Sequence, residues 1–111
     1  MALNPSFKEI IRLLHQLTPR ERIPWTRSKP IGAYSSSLGD STISIEMNGT
    51  GGYIVKMLND QGEETYGRIV PSEDADHQQV KALYETIQEQ FDKRAHDQMT
   101  QVLQQLRNRA N

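Results

Sequence analysis

Residues 33–47 read AYSSSLGDSTISIEM, and this stretch decides the fold. Gly39 and Asp40 form the kind of two-residue turn that closes a tight hairpin, because such turns need residues that tolerate positive φ. After the turn, Ile43 and Ile45 alternate with polar residues, so one face of the strand is apolar and the other is polar. The stretch therefore predicts a β-hairpin with one buried face.

Two further strands follow at the same short spacing. The glycine-rich run 48–52 separates the hairpin from an apolar run that begins at Tyr53, and the residues Asp60-Gln61-Gly62 supply the next turn. Turns this short join antiparallel neighbours, since a parallel crossover needs about a dozen residues or more. The sequence predicts a four-stranded antiparallel meander with strands at 33–38, 41–47, 53–58 and 64–70.

One helix is predicted before the sheet and one after it. Asn4-Pro5 is a helix start, with a capping amide followed by proline at the first helical position. Ser72 is expected to cap the second helix, because acidic residues follow it where the helix dipole favours negative charge. The chain is thus expected to form a single α+β domain over 1–111 with the order α-β-β-β-β-α: helix 5–17, connector 18–32, the four strands and helix 73–108.

The second helix carries an apolar stripe that continues to Leu106 in steps of three and four residues. A helix this long measures about 55 Å at 1.5 Å per residue, whereas a compact domain of this size spans only about 35 Å. Either the helix bends near 92–97 and folds back on its own domain, or its last apolar residues pack against another chain. The candidate partner-interface residues are Met99, Val102, Leu103 and Leu106.

Composition excludes several function classes. The net charge of −1 gives no overall attraction to nucleic acid or to an anionic membrane. The absence of cysteine excludes disulfides and thiolate metal sites. No apolar run approaches the length of a membrane span, so a cytoplasmic protein without a membrane partner is expected. The three histidines form no local metal motif, and the glycine run 48–52 leads into a strand instead of the helix N-terminus that a phosphate loop requires. We therefore expect no catalytic residue, cofactor or metal.

Charge is strongly segregated along the chain. Residues 1–30, 31–92 and 93–111 carry net charges of +4, −8 and +3. An aromatic ring among cations suits a single-stranded nucleic acid or an anionic protein surface. The alternative is that the ring fills the edge of the core while the cations pair with the acidic middle of the chain. The residues in question are Arg20, Arg22, Trp25, Arg27 and Lys29.

A set of short motifs spans most of the chain: an apolar helix, a lone Trp, a Tyr-x-x-x-Leu-Gly-Asp hairpin at 34–40, a Tyr-x-Val strand at 53–55, an Asp-x-Gly turn at 60–62 and a Leu-Tyr pair at 83–84. In these motifs the chain resembles a family of small bacterial α+β proteins without an assigned activity. The resemblance implies the same order of elements. It implies no catalytic residues.

The leading hypothesis is a non-enzymatic interaction or regulatory module that associates through its C-terminal helix, either with itself as a homodimer or with another protein. One alternative is a nucleic-acid-binding module that uses the basic segment around Trp25. Another is a structural protein without a ligand site.

Overall fold

A computed structural model describes residues 3–20, 22–29 and 31–110 of the chain. The first helix, α1, is followed by one 3-10 turn, then by five strands that pair in sequence order, and finally by a long helix, α2. The elements are α1 (Pro5–Leu17), the 3-10 turn (Thr18–Arg20), β1 (Thr26–Ser28), β2 (Ala33–Leu38), β3 (Ser41–Met47), β4 (Tyr53–Leu58), β5 (Glu64–Val70) and α2 (His77–Ala110).

The sheet has five antiparallel strands, so the prediction of four strands is wrong by one. The extra strand, β1, lies within the predicted connector 18–32 and pairs with β2, with Arg27 opposite Tyr34. Three residues are too few for an alternating pattern to be recognised. The strand forms because β2 would otherwise present an unpaired edge. Glu21 and Pro30 of the connector lie outside the described residues.

Both helices pack on the same face of the sheet. On β5, Tyr66 contacts Phe7 of α1 with ring centroids 4.9 Å apart, and on β2, Tyr34 contacts Tyr84 of α2 at 5.4 Å. The fully covered residues Ile45 and Val55 lie opposite each other beneath the helices. The other face of the sheet carries the polar partners of these residues and has no helix over it.

The two helix starts compare differently with the prediction. Asn4 caps α1 as expected, and its side-chain oxygen accepts a hydrogen bond from the Ser6 amide at 2.8 Å. The second helix begins at His77 instead of near residue 73. Its predicted first turn is replaced by a turn in which Asp74 accepts a hydrogen bond from the Asp76 amide at 2.8 Å.

Asp76 explains why α2 starts late. Its carboxylate accepts a hydrogen bond from the Leu3 amide at 2.9 Å and lies 3.3 Å from the Lys8 ammonium. These partners are more than sixty residues away in sequence, so a local capping rule cannot find them. The start of α2 is therefore fixed by α1.

The second helix continues without interruption for 34 residues, so it does not fold back after residues 92–97. At 1.5 Å per residue its length is about 51 Å. The longest dimension of the chain is 60 Å and its radius of gyration is 16.6 Å, compared with about 13 Å for a compact domain of this size. The helix accounts for the elongated shape.

Replacing Leu83 by alanine should lower the free energy of unfolding by about 3 kcal/mol, because Leu83 is fully covered and its removal leaves a cavity. Leu103→Ala is the matched control, since it makes the same change on the same helix where half of the side chain is exposed. Its effect should stay below about 1 kcal/mol. Urea denaturation of dilute protein, followed by circular dichroism, measures both. Equal losses would contradict the packing described.

Tyr84 should make the fold sensitive to alkali. Burial raises the pKa of this phenol, and the neighbouring phenols Tyr34 and Tyr53 raise it further. A raised folded-state pKa means that the stability is complete below the ordinary value of about 10 and is lost as the pH rises through the folded value. Tyr84→Phe loses a hydrogen bond to the Gly32 carbonyl, so it should be about 1 kcal/mol less stable near neutral pH.

The same variant should lose less stability than the wild type between neutral pH and about pH 11. Urea midpoints at the two pH values measure this difference. An equal loss in both proteins would show that Tyr84 does not carry the pH dependence.

Candidate functional site

The distal segment of α2, residues 92–110, leaves the domain at the β1 edge of the sheet. Its direction is set by three ring contacts: His77 lies 5.5 Å from Tyr53 on β4, Tyr84 lies 5.4 Å from Tyr34 on β2, and Phe91 lies 5.2 Å from Tyr34. The helix thus crosses from β4 toward β1, an edge strand. Beyond Phe91 it has no strand left to cross.

The burial pattern along α2 changes at this point. Its proximal apolar residues are covered, whereas every residue from His96 to Ala110 is exposed. The four large apolar residues of the distal segment, which we call the distal apolar face, are 63%, 48%, 50% and 55% exposed: Met99, Val102, Leu103 and Leu106. These are the partner-interface candidates that the sequence indicated. The chain itself leaves them uncovered.

The distal apolar face points roughly the same way as the part of α2 that packs on the sheet. Val102 follows Tyr84 by five turns at about 3.6 residues per turn, so the two side chains project in one direction. A shallow groove of about 490 Å³ runs along Gln98, Met99, Val102 and Leu103. The surface is apolar and open along the helix.

Cations border this surface at both ends. The Arg27 and Arg94 guanidinium groups lie 5.1 and 5.7 Å from the Phe91 ring centroid, where the ring attracts positive charge. At the other end, Arg107 and Arg109 occupy the last turn of α2, where the helix dipole favours cations. Between them the segment carries glutamine and apolar residues, so its middle is easily desolvated.

The basic segment around Trp25 looks different from the site that nucleic-acid stacking requires. The Trp25 ring is only 2% exposed, and its Nε1 donates a hydrogen bond to the Thr18 hydroxyl at 2.9 Å. A ring in this position has no free face for a base. The four cations are exposed: Arg20, Arg22, Arg27 and Lys29. The alternative in which the ring fills the edge of the core describes Trp25 as it lies here.

The buried titratable groups beside the sheet serve structural contacts. His77, which the sequence suggested would be exposed, is 9% exposed, and its Nε2 lies 3.1 Å from the Gly51 carbonyl. Asp76 holds Leu3 and Lys8, as described above. Across the described ranges, no three His, Asp or Glu side chains come together in an arrangement that could hold a metal ion.

The glycine-rich run 48–52 closes the hairpin between β3 and β4. The Asn48 amide donates to the Gly52 carbonyl at 2.8 Å, and Gly51 adopts a φ of +92°. A Cβ at Gly52 would lie 2.6 Å from the Val70 carbonyl oxygen, so the last glycine is needed for close packing against β5. Turn geometry and packing explain these glycines.

The open face of the sheet carries a shallow cleft of about 400 Å³. It combines hydroxyl groups of Ser35 and Ser44 with charges of both signs, and Lys56 lies 4.0 Å from Glu64. Opposite charges that pair with each other leave no net field for an ionic ligand. The cleft is therefore a weaker candidate than the distal apolar face.

Comparisons of the chain with protein-family models, with curated proteins and with solved structures gave no match. Within the part of the chain that the structure describes, neither helix combines the length and the apolar character that crossing a lipid bilayer would need. The site is thus assigned from its own geometry.

Trp25 is the only tryptophan, so its fluorescence reports this position directly. We expect emission at short wavelength and little quenching by iodide, because the ring is covered. Single-stranded oligonucleotides at low salt should leave the emission unchanged, since no base can stack on the ring. Protein unfolded in urea is the control and should be quenched fully. Strong quenching of the native protein by iodide or by oligonucleotide would contradict the burial of Trp25.

Proposed function

We propose that this chain is a non-enzymatic interaction module that binds another polypeptide through the distal apolar face of α2. The observation that carries the proposal is the set of four large apolar side chains, each about half exposed, on a helical segment that the domain does not cover. Burying a side chain such as leucine or methionine contributes about 1.5–3 kcal/mol relative to full exposure. A partner would gain roughly half of that from each residue.

The continuity of the helix also supports this function. Most helical stability in proteins comes from packing of an amphipathic face, and isolated helices shorter than about 12–15 residues are marginal in water. The distal segment is helical although its side chains are solvated. A partner that covered the apolar face would supply the missing packing. The recognition mode is that of an apolar helix face laid against a complementary apolar surface.

The non-enzymatic part of the proposal rests on what the buried polar groups do. Asp76, His77 and Gln90 bind backbone groups of Leu3, Gly51 and Thr18 respectively. Such groups are engaged in holding elements together and do not converge on a common cavity. The nucleic-acid alternative is not pursued, because Trp25 is covered.

Photocrosslinking at single sites of the full chain tests the proposal. A photoreactive residue at position 106 should form a specific adduct in the cells from which the chain originates, because Leu106 lies in the contact surface. The matched control is the exposed position Gln104, two residues away and therefore about 200° around the helix. It should give little adduct.

The adduct at position 106 should also disappear when Met99→Glu is added, because a charge in the apolar face opposes burial. Equal labelling from both positions, or no adduct from either, would contradict the proposed surface.

A further inference from the structure

We infer that the occupant of the distal apolar face is a second copy of this chain, paired antiparallel with a two-fold axis between Thr100 and Gln101. The inference rests on the proposed function and names its partner. It is drawn from the spacing, sizes and charges of the distal segment.

The apolar residues of the segment are spaced symmetrically. Their steps are four, four, three, four and four residues, which read the same in both directions: Phe91, Ala95, Met99, Val102, Leu106 and Ala110. At about 100° per residue these six positions fall within an arc of about 100°, so they share one face. When a helix with such a pattern is turned end for end, the reversed copy presents an apolar residue at every level. An antiparallel pair of identical helices uses this property.

The sizes of the side chains match as well. In the symmetric register, Phe91 is level with the partner's Ala110, and Leu106 is level with the partner's Ala95. At the centre, Met99 is level with the partner's Val102. Each outer level combines one large and one small side chain, which is the arrangement that lets facing layers interdigitate at native density. In a parallel pair, Phe91 and Leu106 would each meet their own copy, and the alanines would leave gaps.

Charge also favours the antiparallel direction. Residues 89–98 carry a net charge of −1 and residues 99–110 a net charge of +2. The antiparallel register sets Arg109 level with the partner's Asp92 and opposes the two helix dipoles favourably. A parallel pair would instead set Arg107 and Arg109 beside their own copies. The one like-charge level of the antiparallel register is Arg94 with the partner's Arg107, and Arg94 already lies over the Phe91 ring.

The shape of the domain leaves room for this pairing. The distal segment lies beyond the β1 edge, so the partner's helix can run beside it as far as Phe91, where the domain begins. The two domains then sit at opposite ends of a helix pair about 30 Å long. They do not compete for the same space.

Spin labels test the register in the full chain, because the absence of cysteine allows one label at one introduced cysteine. Gln101→Cys lies beside the two-fold axis, and Asn108→Cys lies near one end; both wild-type side chains are exposed. Dipolar spectroscopy at high protein concentration should give an interspin distance for both. The separation along the helix axis should be roughly 20 Å greater at position 108 than at position 101.

A substitution in the apolar face supplies the second readout. Leu106→Glu should abolish the dipolar signal at both labels, whereas Gln104→Glu adds the same charge on the opposite face and should retain it. Circular dichroism verifies that both variants are folded. Loss of the signal in both variants alike would overturn the assignment to this face.

Three further outcomes have definite meanings. Equal distances at the two positions indicate a parallel pair and overturn the register. Absence of a dipolar signal in the wild-type sequence overturns the second copy as occupant. The adduct at position 106 then separates the two claims, because an adduct with a different protein keeps the proposed function, and no adduct at all removes both.

Discussion

The packing of Tyr84 between two strands determines much of this structure. Its ring contacts Tyr34 on β2 and Tyr53 on β4 at 5.4 and 5.1 Å, and its hydroxyl donates to the Gly32 carbonyl at 2.7 Å. These contacts fix both the position of α2 and its rotation about its own axis. The direction in which the helix leaves the sheet follows from them, and so does the exposure of the distal apolar face.

The sheet could be predicted well where its signals were local. The predicted bounds of β2 to β5 agree with the structure, because each strand has its own alternation and is closed by a short turn. β1 was missed because its three residues carry no periodic signal and gain their partners only from the edge of β2. The late start of α2 was missed for a related reason, since Asp76 is held by Leu3 and Lys8 from the other end of the chain.

The candidate site was predictable in its residues but not in its surroundings. The length of the second helix, set against the size of one domain, already indicated that Met99 and Leu106 would outrun the sheet. What the sequence could not provide was the edge at which the helix leaves, because that depends on contacts between Tyr34, Tyr53 and α2. Trp25 illustrates the converse: its cationic neighbours suggested a surface role, yet its hydrogen bond to Thr18 places it inside.

The unbroken course of α2 has a mechanical consequence. A helix with no proline, glycine or break between His77 and Ala110 offers no hinge at which the exposed part could swivel independently of the buried part. Torque applied to the outer turns is therefore transmitted as on a rigid shaft to the ring of Tyr84. Whatever grips the protruding rod also steadies the sheet at its base, so that capture and folding draw on one cooperative equilibrium.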